Sequence, residues 1–286
     1  MRVRGELRCP FLLPATESYS RNPFEVRRSD LSQAMPLARK RIILTGGSGG
    51  LGHLVAAELL RDGANVTVLS RTSGRTGRVR HIAGDLSTLD GIESACKTVS
   101  REEPDMLVNM AGVQYFGPTE EQPVADLHAG YMVNLVAPAA LCRACLPSMR
   151  RRKEGHFVVV GSMLGSIPLA HFVAYSSAKA GLRAFSEALR RELADSNIAV
   201  THIAPRAART PLLDPLLQKY ADLTGMKIDL PDAVAARIVA AIRQRRKEVY
   251  IGFPERWFAR LNAVLPRVID AAVAGNDRRA KALFQS

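Results

Sequence analysis

The chain has 286 residues, 47% of them hydrophobic, and is therefore long enough to bury the core of one large α/β domain. Its formal net charge is +13, but eleven of these charges lie in residues 1–40 and 237–286. A nearly neutral middle argues against a nucleic-acid-binding core, so we expect no nucleic-acid partner.

Cysteine usage and hydropathy argue against further classes. The four cysteines form no disulfide framework, and Cys142 and Cys145 lie in an apolar helical stretch without a second Cys/His pair to complete a metal site. No apolar run reaches the ~18–20 residues that span a bilayer. We therefore expect a cytoplasmic protein with reduced thiols and no metal.

Residues 1–37 are rich in Arg, Ser and Pro and show neither helical nor strand periodicity. We predict a disordered extension there. The alternative is that translation starts at Met35 and that the residues before it are not native. One domain is expected over residues 38–252, followed by a basic amphipathic extension over residues 253–286.

Short apolar strands alternate with longer helical stretches, a pattern typical of a parallel sheet with helices on both faces. We therefore predict a Rossmann-type, doubly wound α/β fold in a single domain. Strands are predicted at residues 40–45, 65–69, 79–83, 106–109, 156–160, 199–203 and 247–251. Helices are predicted at residues 51–62, 90–101, 124–149 with an interruption near Pro138, 175–195 and 231–246, and residues 205–226 are expected to be mostly loop.

A glycine-rich turn follows the first predicted strand and opens the first helix. Gly46, Gly50 and Gly52 allow a tight turn, close approach of the backbone to a pyrophosphate, and close packing of helix on strand. The phosphates would then lie at the helix N-terminus, where free N–H groups favour anions. We expect the turn to bind a dinucleotide, together with its neighbours Thr45, Ser48 and Leu51.

The end of the second strand predicts which dinucleotide is bound. NAD-binding folds place an acid there for the ribose 2′-hydroxyl, whereas an Arg accommodates the 2′-phosphate of NADP. This chain has Ser70, Arg71 and Thr72 there, and no acid. Arg71 can pair with the phosphate, and Ser70 or Thr72 can donate a hydrogen bond to it. The predicted cofactor is NADP(H).

Tyr175 and Lys179 lie about one helical turn apart and share a helix face. An ammonium beside a phenol favours the phenolate, so the pair predicts a Tyr175 pKa below the usual value of about 10. Ser162 follows the preceding strand. Together the three side chains could transfer a proton to a carbonyl oxygen and stabilise the charge on it.

The motifs TGGSGGLG, NMAG and YSSAK occur in this order on the expected elements. With them the chain resembles the short-chain dehydrogenase/reductase family over residues 38–250. The resemblance implies an NADP(H)-dependent oxidoreductase that transfers hydride between the nicotinamide and a carbonyl or secondary alcohol. It also implies a homodimer or homotetramer.

The resemblance also implies roles for individual residues. Ser162, Tyr175 and Lys179 would be catalytic, with Asn134 holding a water in a proton relay. Tyr175 and Lys179 would also contact the cofactor, Lys179 through the nicotinamide ribose. The adenine ring would lie against Asp85 and Leu86. The remaining cofactor-binding positions are Asn109, Ala111, Gly112, Pro205 and Thr210, with Met110 in place of a family Asn.

A second position also departs from the family pattern, and it affects the course of the backbone. After the sixth strand the family has Pro-Gly and then a Thr, whereas here Pro205 is followed by Arg206, with Thr210 in the Thr place. A non-glycine residue disfavours positive φ at this point. We expect the backbone to enter the following segment, the lid, by a different course.

Apolar residues fill the lid, residues 211–226, and the loop between Ser162 and Tyr175. This pattern predicts an apolar or acyl-chain substrate. The alternative is that these residues pack in a core or in an oligomer interface. The C-terminal extension has an apolar helical stripe flanked by Arg and broken at Pro266, a pattern typical of peripheral contact with anionic lipid. It also fits a helix packed over its own lid or against a second subunit, which is the commoner outcome for such a stripe.

A second function class also fits the motifs, namely an NADP-binding sensor or scaffold without turnover. The presence of Ser162, Tyr175 and Lys179 together argues against it, because a non-catalytic protein has no physical need for all three. Consumption of NADPH with a carbonyl compound would distinguish the two classes.

Overall fold

The computed structural model describes residues 35–72 and 79–284. Its strands are β1 (Arg41–Thr45), β2 (Asn65–Ser70), β3 (Arg80–Ala83), β4 (Met106–Asn109), β5 (Gly155–Val160), β6 (Ile198–Pro205) and β7 (Glu248–Ile251). They form a parallel sheet in the order β3-β2-β1-β4-β5-β6-β7. The order changes direction between β1 and β4, which confirms the predicted doubly wound topology.

The helices are α1 (Gly50–Arg61), α2 (Leu89–Glu102), α3 (Val124–Tyr131), α4 (Ala137–Arg152), α5 (Val173–Glu192), α6 (Pro215–Thr224), α7 (Pro231–Arg243), α8 (Glu255–Val264) and α9 (Pro266–Lys281). Helix α6 corrects the prediction that residues 205–226 are mostly loop. Asp214 caps it, with Oδ1 accepting a hydrogen bond of 2.7 Å from the Leu217 N–H. Pro215 follows at the first helical position, where a missing N–H costs nothing.

The core lies on both faces of the sheet. One face packs against α1 and α7, for example through Leu59 and Ile238. The other packs against α2, α4 and α5, for example through Leu141 and Leu189. Every residue of β5 is buried, which explains why this strand is a continuous apolar run rather than an alternating one.

The predicted interruption near Pro138 is a π-helical segment, Met132–Val136, that joins α3 to α4. Pro138 has no N–H to donate to the carbonyl of Asn134, so the normal hydrogen-bond ladder cannot continue there. The segment turns the Asn134 side chain into the interior, where it is fully buried.

The helical stretch Val124–Arg152 is long and apolar enough to cross a membrane by length and composition, which corrects the sequence-based statement that no such run exists. A core helix passes the same test, and this one buries Leu141 and Cys145 against the sheet side. The predicted location in the cytoplasm stays a prediction.

Both ends of the described chain contact the domain. The predicted disorder concerns mainly residues 1–34, which lie outside the described residues, whereas the Met35 N–H donates to the Arg243 carbonyl over 2.8 Å and Leu37 is buried. At the other end, α8 and α9 separate at Pro266, as predicted; α9 packs over the lid, and α8 packs against the loop that follows β5. Val264 and Val268 are nevertheless exposed, so membrane or subunit contact through the extension stays a prediction.

Candidate active site

The glycine turn between β1 and α1 forms an anion-binding site. Gly46 has φ +74°, and a Cβ there would lie 2.7 Å from the Ala111 Cα, so only glycine lets β1 and the loop after β4 approach this closely. No side chain in the described part of the chain caps the N-terminus of α1 at Gly49. Its first N–H groups can therefore bind phosphate, which fits the predicted dinucleotide.

A cavity of about 1070 Å³ begins at this turn. All the predicted cofactor-binding residues line it except Thr45 and Asn109. The four predicted catalytic residues, Ser162, Tyr175, Lys179 and Asn134, line it as well. The structure thus brings the two predicted groups of residues to one cavity.

Thr45 and Asn109 lie behind the cavity wall, which corrects the prediction that their side chains contact the cofactor directly. The Thr45 hydroxyl accepts hydrogen bonds from the N–H groups of Met110 (3.0 Å) and Ala111 (3.1 Å). Asn109 is buried and contacts the Cys142 Sγ at 3.5 Å. Both side chains fix the loop after β4, which in turn forms the wall.

At the adenine end, the Ser70 hydroxyl is used within the chain. It donates to the Thr72 carbonyl over 2.8 Å and lies 3.1 Å from the His81 Nε2, so it would have to leave these partners to bind a phosphate, and its role as a phosphate donor stays a prediction. Arg71 is exposed at the same edge. Hydrogen bonds from Ser87 hold the pKa of Asp85 below its usual value, and the charge of Arg71 acts in the same direction.

Ser162, Tyr175 and Lys179 meet beyond the carboxyl end of β5. The Ser162 hydroxyl lies near enough to the Tyr175 phenol to oppose the effect of burial on its pKa, and it accepts a hydrogen bond of 3.1 Å from the Leu164 N–H. Lys179 is 4% exposed. Its Nζ donates to the Val160 carbonyl over 3.3 Å and lies 5.7 Å from the centroid of the Tyr175 ring.

Burial dominates the acid–base properties of this group. It raises the pKa of Tyr175, against a smaller opposing effect of the Ser162 hydrogen bond, and it lowers the pKa of Lys179 to about 8. The predicted lowering of the Tyr175 pKa is thus reversed, because the phenolate would lose its hydration and the Lys179 amine is directed at the Val160 carbonyl. The phenol keeps its proton at neutral pH and can serve as an acid.

Asn134 lies beside Lys179. Its Nδ2 donates to the carbonyls of Val113 (2.7 Å) and Gly130 (2.9 Å). A Cβ on Gly112 would lie 3.1 Å from the Asn134 Oδ1 and 3.7 Å from the Lys179 Nζ. The absence of a side chain at Gly112 therefore lets both groups border the same space.

The lid is held at its start by Arg206. Its guanidinium forms a two-pronged ion pair with Asp229, through Nε–Oδ2 (2.9 Å) and Nη2–Oδ1 (2.6 Å), and its Nη1 donates to the Phe253 carbonyl over 3.4 Å. In the described part of the chain five non-glycine residues have a positive φ, and Arg206 is not one of them. The expected ordinary backbone at Arg206 is confirmed, whereas its ion-pair partner Asp229, 23 residues away, is not predictable from local sequence.

The lid also closes over the glycine turn. The Gln114 Nε2 donates to the Leu212 carbonyl over 2.7 Å. A Cβ on Gly50 would lie 3.6 Å from the Thr210 Cβ. Thr210 is therefore next to the glycine turn, and its role in binding the cofactor stays a prediction.

The C-terminal extension supplies lining residues that were not predicted. These are Pro254, Phe258, Ile269, Val273 and Asn276. The helical periodicity of the extension indicates an apolar face, but no local signal shows that the face covers the cavity.

The chain is similar to known proteins in sequence and in fold. The family model described as short chain dehydrogenase matches residues 40–221. The chain belongs to the short-chain dehydrogenase family. A dehydrogenase/reductase SDR family protein 7-like of Anopheles gambiae is 31% identical over 243 residues, covering 76% of each chain. Membership of the family supports dehydrogenase or reductase activity.

Solved structures agree on the fold of this short-chain dehydrogenase. A short chain dehydrogenase from Burkholderia cenocepacia J2315 in complex with NADP has a TM-score of 0.70 at 23% identity and covers 83% of this chain and 98% of its own. A 4-hydroxyisoleucine dehydrogenase complexed with NADH has a TM-score of 0.67 at 23% identity and covers 74% and 96%. At these identities the likeness establishes the fold alone.

Burial of Lys179 gives a prediction for stability. The folded-state pKa of about 8 lies below the ordinary 10.5, so between these values the unfolded chain binds the extra proton and the free energy of unfolding rises with pH. Lys179→Met should abolish this rise and stabilise the cofactor-free protein at neutral pH by about 3 kcal/mol. Denaturant unfolding across this pH range measures both effects. The control Lys97→Met, at an exposed position, should keep the rise of the free energy of unfolding with pH. If the rise persisted in Lys179→Met, the Lys179 amine would not be desolvated in the folded protein.

The Arg206–Asp229 pair gives a prediction for the lid. Asp229→Asn keeps the size of the side chain but removes its charge, so the lid should open more often and be cut roughly tenfold faster by a protease, equivalent to about 1.4 kcal/mol. Limited proteolysis measures the rate. Arg209→Gln in the same segment, at an exposed position, should leave the rate as in the parent protein. Equal rates for Asp229→Asn and the parent protein would refute the role of the pair.

Proposed function

We propose that this protein is an NADP(H)-dependent oxidoreductase that interconverts a carbonyl and a secondary alcohol on an apolar or acyl-chain substrate. The observation that carries the proposal is the meeting of Ser162, Tyr175 and Lys179 at a cavity continuous with the glycine turn. A phosphate-binding turn and a proton donor in one cavity are what a dinucleotide-dependent carbonyl reductase needs.

The chain's own residues divide the work. When bound, the nicotinamide supplies the hydride chemistry. The glycine turn and the N-terminus of α1 hold the phosphates, and the lid from Thr210 to Leu212 covers them and excludes water. Lys179 borders the space beside Gly112, and Tyr175 lines the same cavity, so that both can orient the ribose of the nicotinamide.

Tyr175 moves the proton. In reduction its Oη donates to the carbonyl oxygen as negative charge develops there, and the Ser162 Oγ hydrogen-bonds the same oxygen. The raised pKa of Tyr175 keeps its proton in place until that moment. Lys179, with its pKa lowered to about 8, can return a proton to Tyr175 at neutral pH, and Asn134 beside it leads towards solvent through water.

The preference for NADP(H) rests on the end of β2. The fold does not choose the dinucleotide, since neighbours of the same fold hold NADP in one case and NADH in another. No carboxylate ends β2, and the exposed Arg71 lines the cavity. A guanidinium can bind a 2′-phosphate through two parallel hydrogen bonds, which favours the phosphorylated cofactor.

The substrate class rests on the side of the cavity opposite the turn. The loop between Ser162 and Tyr175 contributes Leu164, Ile167 and Phe172, and the lid contributes Leu213 and Leu217. Such walls bury an apolar chain favourably and offer few partners for the hydroxyl groups of a sugar.

Replacing Tyr175 tests the reaction. Tyr175→Phe removes only the hydroxyl, so turnover in NADPH-dependent reduction of ketones should fall by about 10²–10⁴-fold. Binding of NADPH, followed by fluorescence titration, should change little. Tyr131→Phe is the matched control. The Tyr131 phenol lies 2.7 Å from the Ser177 hydroxyl, and Tyr131 does not line the cavity. Undiminished turnover in Tyr175→Phe would refute the proton transfer, and binding of NADPH without turnover of any carbonyl by the parent protein would favour a sensor or scaffold.

Replacing Arg71 tests the cofactor. Arg71→Asp should raise the Michaelis constant for NADPH by about tenfold or more and lower that for NADH, because a carboxylate repels the 2′-phosphate and accepts from a ribose 2′-hydroxyl. Initial rates with each cofactor measure the change. Arg101→Asp, at an exposed position on α2, makes the same change in net charge and should not alter the preference. The same preference in Arg71→Asp and the parent protein would overturn the assignment.

A further inference from the structure

The cavity does not end at the lid. It continues to five residues of the C-terminal extension, namely Pro254, Phe258 of α8, and Ile269, Val273 and Asn276 of α9. These lie outside residues 40–221, which the family model matches. The closing wall of the cavity is thus built from a part of the chain that follows the matched region.

The three residues of α9 share one face. Ile269, Val273 and Asn276 are spaced by four and three residues, the spacing that places side chains in one row along a helix. Ile269 is buried beside Met163 and Ile167, immediately after the Ser162 position. The row therefore runs from the catalytic group outwards along the cavity.

The wall is firmly attached to both borders of the cavity. On the loop side, the Asn262 Nδ2 donates to the Ser166 carbonyl over 2.9 Å. On the lid side, Arg279 Nη1 donates to the Leu223 carbonyl over 3.4 Å. Beyond α9, the ring of Phe284 lies 5.3 Å from that of Phe116 and 4.7 Å from that of His171.

From these contacts we propose that α9 is the end wall of the substrate site and sets the length of the apolar chain that the enzyme accepts. The inference rests on the proposed function and adds the part of the chain that selects among its substrates. Val273, in the middle of the row, determines the length most directly. Each methylene that finds room against the wall contributes about fourfold to kcat/KM, the equivalent of ~0.8 kcal/mol.

The experiment compares one short and one long straight-chain alkan-2-one with NADPH. Val273→Trp fills the end of the cavity, so the ratio of kcat/KM for the long ketone to that for the short one should fall about 15-fold if two methylenes lose their place. Val273→Ala enlarges the cavity and should shift the ratio in favour of a still longer ketone. Val264→Trp is the matched control, because Val264 of α8 is 76% exposed and does not line the cavity, and should keep the parent ratio.

Three outcomes are decisive. Opposite shifts of the ratio in the two Val273 variants, with the parent ratio in the control, support the inference. If all variants are active and have the same ratio of kcat/KM for the long ketone to that for the short one, the inference is overturned and the proposed function stands. Failure of the parent protein to oxidise NADPH with any ketone, aldehyde or 3-oxoacyl thioester contradicts the proposed function itself, and this inference with it. Because Val273→Ala removes volume without adding a clash, it gives a result even if Val273→Trp does not fold.

Discussion

Parallel strands all end at the same edge of their sheet, and the candidate site depends on this constraint. The glycine turn follows β1, Arg71 follows β2, Asp85 follows β3, and Ser162 follows β5. The change of strand order between β1 and β4 separates the connections on the two faces and opens a crevice at that edge. Residues far apart in sequence meet there without any long-range signal of their own.

Burial then determines what the assembled groups can do. Lys179 and Tyr175 are adjacent on α5, and in water the ammonium would favour the phenolate. In the folded chain desolvation outweighs that attraction, raising the pKa of Tyr175 and lowering that of Lys179. Both shifts move the pair towards its neutral form. At neutral pH the phenol therefore keeps its proton, which is the protonation state that reduction of a carbonyl requires, while Lys179, with a pKa of about 8, still carries a proton that it can pass on.

Local patterns predicted the sheet, most helices and the residues that border the cavity, because periodicity and turn chemistry are properties of short segments. What these patterns miss is decided by tertiary contacts. Nothing near Ser70 in sequence indicates that its hydroxyl is used by Thr72 and His81, and nothing near Thr45 indicates that it supports the loop after β4. The reversed pKa of Tyr175 belongs to the same class, since burial is not a local property.

Arg206, which stands where the family motif has a glycine, links the two halves of the site. Arg206 leaves β6 beside the cofactor residues, and its guanidinium reaches Asp229 at the far end of the lid and the Phe253 carbonyl at the start of the extension. Asp229 in turn is hydrogen-bonded through its backbone to Ala207 and Arg209. A glycine in this place could make none of the side-chain contacts. The lid over the phosphates and the helices that close the substrate side are therefore held by the same guanidinium, so that loosening one loosens the other.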